Sequence, residues 1–128
     1  MFPYLFNTLK KKIIVIDDDY DIVRLFEIIL HDAGYDVMGF TSANELLSNF
    51  QTGIYDLLLV DIRMTEMNGF ELVEKVRLKD SVIKVCFITS FEAYYNSLIE
   101  SFPYIDHKCF IHKPIKETEL IDKIRGLL

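Results

Sequence analysis

Tyr55-Asp56-Leu57-Leu58-Leu59-Val60-Asp61 is the stretch that decides the fold. Its four apolar residues run without alternation, as in a strand covered on both faces, the usual condition of a parallel sheet. Asp61 closes the run, where the strand should end and a loop begin. Ile13-Ile14-Val15-Ile16 ends the same way, in Asp17 and Asp18. Two later runs lead to Thr89 and, with His112 between, to Lys113. The carboxyl ends of the strands in an open parallel sheet line one edge, and ligands bind in the crevice there. Three carboxylates, a hydroxyl and an amine are therefore expected to converge.

Strand-like and helix-like stretches alternate five times, which implies an α/β sheet with helices on both faces. Strands are expected over residues 12–16, 36–40, 57–60, 83–88 and 108–111. Helices are expected over 20–31, 42–50, from Asn68 onward, over 93–101, and over 117–127. In the first helix Ile22, Leu25, Phe26, Ile29 and Leu30 fall at helical spacing, and Gly34 follows as a C-cap. Asn68 and Glu71 open the third as a capping box, with Leu72, Val73 and Val76 inward. Leu120, Ile121, Ile124 and Leu127 form the inner stripe of the last. Right-handed crossovers favour a doubly wound, five-stranded parallel sheet in the order 2-1-3-4-5, a flavodoxin-like (βα)5 sandwich. Strands 1 and 3 are then neighbours at the switch point, which brings Asp17, Asp18 and Asp61 together.

The 128 residues fit one compact domain over 11–128, preceded by an N-terminal extension over 1–10. Hydrophobic residues at 51% and charged ones at 27% give a globular balance. A net charge of −6 argues against direct contact with nucleic acid, which needs a basic face. No apolar stretch approaches the roughly 20 residues of a membrane span. Met1–Phe6 is apolar, but Lys10-Lys11-Lys12 follows it, the wrong order for a secretory signal. Phe2, Tyr4, Leu5 and Phe6 either fray or pack on the domain or a partner. Cys86 and Cys109 lie in apolar runs without a CxxC or His-rich context, and read as two reduced core thiols of a cytoplasmic protein.

Crowded carboxylates raise one another's pKa unless a cation joins them. Mg²⁺, or Mn²⁺, suits such a site, because it takes oxygen ligands from one or two carboxylates and phosphoryl groups. Asp18 and Asp61 are the candidate direct ligands, Asp17 a ligand through water, and the Arg63 backbone carbonyl a further one. Asp61 is the candidate nucleophile for in-line attack on phosphorus. Lys113 is placed to bind a phosphoryl oxygen and Thr89 to donate a hydrogen bond to one.

The runs Ile-Val-Ile-Asp17-Asp18-Asp19, Leu-Leu-Val-Asp61-Ile-Arg-Met64-Thr-Glu-Met67-Asn-Gly69, Phe-Ile-Thr89-Ser90 and Phe110-Ile-His-Lys113-Pro114 resemble the receiver domains of two-component response regulators. The resemblance spans about residues 11–128. It implies that Asp61 takes a phosphoryl group from a histidine kinase or histidine phosphotransfer protein, in a Mg-dependent step. It implies self-phosphorylation and autodephosphorylation at Asp61, not conventional turnover. By the same likeness Asp17 and Asp18 bind the metal, Thr89 and Phe110 are switch residues, and Lys113-Pro114 is a cis peptide. The output surface would be the fourth helix, fifth strand and fifth helix, controlling a downstream protein or output domain and available for homodimer formation.

The chain departs from the family pattern in three places, one of them Ser90, which stands where a small residue, commonly Ala, admits the phosphoryl group and which still fits. Met64-Thr65 replaces the usual Met-Pro, which should loosen the loop. The segment 91–107 lacks the usual Gly-Ala and carries Phe91, Tyr94, Tyr95, Phe102 and Tyr104, as core or as an aromatic docking patch. Two other readings compete. Asp17-Asp18-Asp19 contains the Asp-x-Asp of a haloacid-dehalogenase-like phosphatase with Asp17 as nucleophile, but that leaves Asp61 without a role. A phosphorylation-independent interaction module would need none of the five site residues.

Overall fold

The computed structural model describes residues 10–90, 96, 100, 101, 103 and 109–128. The N-terminal segment 1–9, Lys108 and the aromatics Phe91, Tyr94, Tyr95, Phe102 and Tyr104 lie outside the described residues. So does most of the helix expected over 93–101; helical backbone is described at Asn96, Glu100 and Ser101. Chain order is β1 (Lys12–Ile16), α1 (Tyr20–Asp32), β2 (Asp36–Phe40), α2 (Ala43–Asn49), β3 (Leu57–Asp61), α3 (Gly69–Lys79), β4 (Lys84–Thr89), β5 (Phe110–His112) and α4 (Glu117–Leu127). The five strands form one parallel sheet in the order β2-β1-β3-β4-β5, as the alternation of elements predicts.

Successive side chains on a strand point to opposite faces, and here both faces are covered. Ile14, Ile16, Leu58, Val60 and Phe87 pack against Ala43 and Leu46 of α2 and against Phe70, Leu72, Val73 and Val76 of α3. Ile13, Val15, Leu57, Leu59, Ile88 and Ile111 pack against Phe26, Ile29 and Leu30 of α1 and Leu120 and Ile124 of α4. Every residue of β3 is buried, which is why its sequence does not alternate. β2 is one edge of the sheet, and its residues are half-buried or exposed.

Side-chain caps start three of the helices. Asp19, Ser42 and Asn68 accept from the N–H groups of Asp21, Glu45 and Glu71. The Asn68 amide also donates to the Glu71 carboxylate at 2.7 Å, so the expected reciprocal cap closes through two side chains. Gly34, at φ 101°, follows α1 in the left-handed region, and its N–H donates to the His31 carbonyl at 3.0 Å.

Two expectations need correction. Leu25 is 49% exposed, whereas Val23 is buried. The inner stripe of α1 follows 23, 26 and 30, and Leu25 falls one helical step off it. Cys86 and Cys109 are not separate thiols: a disulfide joins them, with Cα atoms 4.8 Å apart. The parallel register pairs Phe87 with Phe110, which sets Cys86 beside Cys109 one residue earlier.

Candidate functional site

The carboxyl ends of β1, β3, β4 and β5 share one edge. Asp17 follows β1 directly and is 1% exposed. Its backbone N–H donates to the Phe40 carbonyl at 3.3 Å, tying the turn to β2. One carboxylate oxygen accepts from the Asp19 N–H at 2.9 Å, which holds the chain between β1 and the cap of α1. The other lies 2.6 Å from Lys113 Nζ. Asp18 is exposed.

Asp61 ends β3 and is 6% exposed. Its carboxylate oxygen is 3.7 Å from Lys113 Nζ. Asp17, Asp18 and Asp61 each offer one oxygen within 4.8 Å of the others. Burial pushes the Asp61 carboxyl up to about 7, and the negative charges of Asp17 and Asp18 add to this. Lys113 and the Arg63 backbone N–H, which hydrogen-bonds the carboxylate, pull the other way. The uncompensated cluster is thus short of positive charge. Three carboxylates against one ammonium leave hard oxygen donors with net negative charge, the donor set that a small divalent cation takes.

Thr89 ends β4 and is buried, and its carbonyl accepts from the Lys113 N–H at 2.9 Å. That bond carries the chain from β5 to the Lys113–Pro114 peptide, which is cis. Phe110 opens β5, half-buried, stacked on Phe87 with ring centroids 5.2 Å apart. The structure thus brings Asp17, Asp18, Asp61 and Lys113 into direct proximity. Thr89 is joined to them through the backbone, and Phe110 stands three residues back along β5.

Two residues to which the sequence reading gave no role in the loop, Gly69 and Glu66, shape the chain after β3. The Gly69 N–H donates to the Ile62 carbonyl at 2.7 Å, and a Cβ at this glycine would sit 2.5 Å from the Asp61 carbonyl oxygen. Only glycine lets α3 start this close to the nucleophile candidate. Glu66 accepts from the Ala43 N–H at 3.0 Å and from the Asn44 side chain. It anchors the loop to the first turn of α2, although Thr65 stands where a proline was expected. A Glu two residues before an N-cap gives no signal of either contact by itself.

A doubly wound sheet with an acid cluster and an amine at its switch point is the arrangement that the resemblance to receiver domains implies. The profile of the response regulator receiver domain family matches residues 13–125. The receiver protein CpdR of Brucella abortus is 33% identical over 118 residues, covering 92% of this chain and 97% of that protein. The regulator PhoP of Bacillus subtilis is 24% identical over 120 residues, and there the chain spans 94% of itself but 49% of the relative. Among solved structures, TrrA of Thermotoga maritima in complex with Mg²⁺-BeF superposes with a TM-score of 0.78 at 30% identity, covering 92% of this chain and 99% of that one. CheY4 of Vibrio cholerae shares the fold, with a TM-score of 0.80 at 23% identity, over 93% of this chain and 99% of that one. The chain belongs to the response regulator receiver family of two-component systems. No helix among the described residues is long and apolar enough to cross a membrane.

Proposed function

We propose that Asp61 is the phospho-acceptor of a cytoplasmic phosphorelay, loaded by a histidine kinase or histidine phosphotransfer protein. The observation that carries this reading is the buried Asp61 carboxylate, set between the acids Asp17 and Asp18 on one side and Lys113 Nζ at 3.7 Å on the other. An Asp61 carboxylate oxygen attacks phosphorus in line, forming the O–P bond of an acyl phosphate as the donor's N–P bond breaks. Asp17, Asp18, Asp61 and the Arg63 backbone carbonyl would hold Mg²⁺ or Mn²⁺. That ion supplies neutralisation of the carboxylates and of the incoming phosphoryl oxygens. Asp17, already engaged by Lys113 and the Asp19 N–H, suits a ligand that acts through water.

Lys113 neutralises a phosphoryl oxygen as a point charge, and the Thr89 hydroxyl donates to another. Movement of Thr89 toward the phosphoryl group leaves room for Phe110 to turn inward. The surface of β5 and α4 changes with it, and this surface meets a downstream protein, an output domain or a second copy of the chain. Attack of water on the acyl phosphate returns Asp61 and resets the domain.

The test is labelling with acetyl phosphate and Mg²⁺. Asp61 should carry a single acid-stable, base- and hydroxylamine-labile phosphoryl group, and Asp61→Asn should abolish it. Labelling that survives in Asp61→Asn but is lost in Asp17→Asn would instead establish a haloacid-dehalogenase-like phosphatase. A chain that takes no label yet binds its partner would be a phosphorylation-independent interaction module.

A further inference from the structure

The Cys86–Cys109 disulfide lies on the half of the sheet that carries the switch residues. Cys86 is three residues before Thr89 on β4, and Cys109 immediately precedes Phe110 on β5. The bond closes a ring over all of the chain between these two strands, with a sequence separation of 23. It also reinforces a backbone pairing, since the Phe87 N–H donates to the Cys109 carbonyl at 3.0 Å.

The two residues differ in exposure. Cys86 is fully buried, whereas Cys109 is half-buried. Cys109 lines an open groove of about 300 Å³ at the edge of the sheet away from the acids. Arg77, Lys84 and Leu127 line the same groove. A half-buried cysteine at an open groove is the side from which a small thiol or disulfide can approach the bond, and access governs thiol–disulfide exchange.

We infer that Cys86 and Cys109 form a reversible redox modification site, opened and closed through Cys109 by small thiols and disulfides, which restrains the β4–β5 ladder carrying Thr89 and Phe110. On oxidation, the Cys109 thiolate attacks a small-molecule disulfide, forming a mixed disulfide and expelling one thiolate. Cys86 then loses its proton to solvent and attacks the Cys109 sulfur, expelling the second thiolate. The protein gives up two electrons and two protons, and the small disulfide becomes two thiols. On reduction, a small thiolate attacks at Cys109 and the sequence runs backwards. Compartments rich in glutathione keep most disulfides transient, so a bond in this position reports the prevailing thiol poise.

The link to signalling rests on the proposed function. The test below omits divalent cation and phosphodonor, so its result is independent of whether Asp61 takes a label. Wild-type protein is poised in mixtures of reduced and oxidised glutathione, and free thiols are counted by alkylation and intact mass. Two thiols in the reduced form and none in the oxidised form, interconverting without denaturant, are expected. Amide exchange should be about tenfold or more faster in the reduced form at Phe87 and Lys113, whose N–H groups bridge β4 and β5, and little changed in β1 and β3. Cys86→Ala should form a mixed glutathione disulfide, whereas Cys109→Ser should resist it. Three results overturn the inference: thiols that stay free under oxidised glutathione, a bond opened only by unfolding, or exchange rates that change equally at every strand.

Discussion

Replacing Asp61 with Asn should stabilise the metal-free protein, and by an amount that grows with pH. The Asp61 carboxyl is raised from 3.8 to about 7 in the folded chain, chiefly by burial. A carboxyl raised on folding binds its proton more tightly in the native state than in the unfolded one. Its contribution to stability is therefore complete below about pH 3.8 and lost as pH rises through about 7. At about 1.4 kcal/mol per pH unit, the gap corresponds to about 4 kcal/mol, most of it between about pH 5 and pH 8. Asn has nearly the same shape, can still accept from the Arg63 N–H, and has no charge to desolvate. Lys113 keeps Asp17 as its partner at 2.6 Å, so the substitution leaves no orphaned cation. Urea denaturation of both proteins in chelator, from about pH 5 to pH 8, should show the Asn variant gaining about 2–3 kcal/mol relative to wild type. Millimolar Mg²⁺ should narrow the difference by stabilising wild type more than the variant, which has lost one of the carboxylates. Stability curves that run parallel across this range would refute the reasoning, because Asp61 would then carry its charge without penalty.

Three further expectations follow from the geometry. Gly69→Ala would put a methyl 2.5 Å from the Asp61 carbonyl oxygen and should cost about 1–3 kcal/mol. A lower urea midpoint at unchanged slope checks this, with slower acetyl phosphate labelling alongside. Asp80 is buried and its carboxylate accepts from the N–H groups of Gly53, Val82 and Ile83, of which the Gly53 bond does most to hold its pKa down. Asp80→Ala leaves these donors unpaired and should cost about 1–3 kcal/mol at neutral pH. The deficit should shrink as pH falls below 3.8, where the depressed carboxylate loses its advantage in wild type. Finally, Mg²⁺ affinity should fall further in Asp18→Asn than in Asp17→Asn, since Asp17 already faces Lys113; affinities in both variants equal to that of wild type, in a fluorescence or calorimetric titration, would remove both from the site.

The sheet order was legible because β1, β3 and β4 announce their burial in unbroken apolar runs, and each run stops at a polar residue. That same punctuation marks Asp17, Asp61 and Thr89. What stayed illegible depends on distance in the sequence. The disulfide between Cys86 and Cys109 exists because β4 and β5 pair in one register, and neither apolar run states that register. Gly69 looks like an ordinary helix-opening glycine until the loop folds back on the Asp61 carbonyl. Leu25 was misplaced for a local reason: α1 is apolar on more than one face, with Ile28 also 48% exposed, so periodicity alone admits two stripes.

The sheet is also unevenly fastened. β2 and β1 share five register pairs, β1 and β3 four, and β3 and β4 five, but β4 and β5 only three. It behaves as a cantilever with its root at β3 and its free end at β5. A load applied at Leu128 in a single-molecule pulling experiment should peel away α4, then β5, before any other strand. With the disulfide closed, the peeling should halt at Cys109, because the next link in the path is covalent.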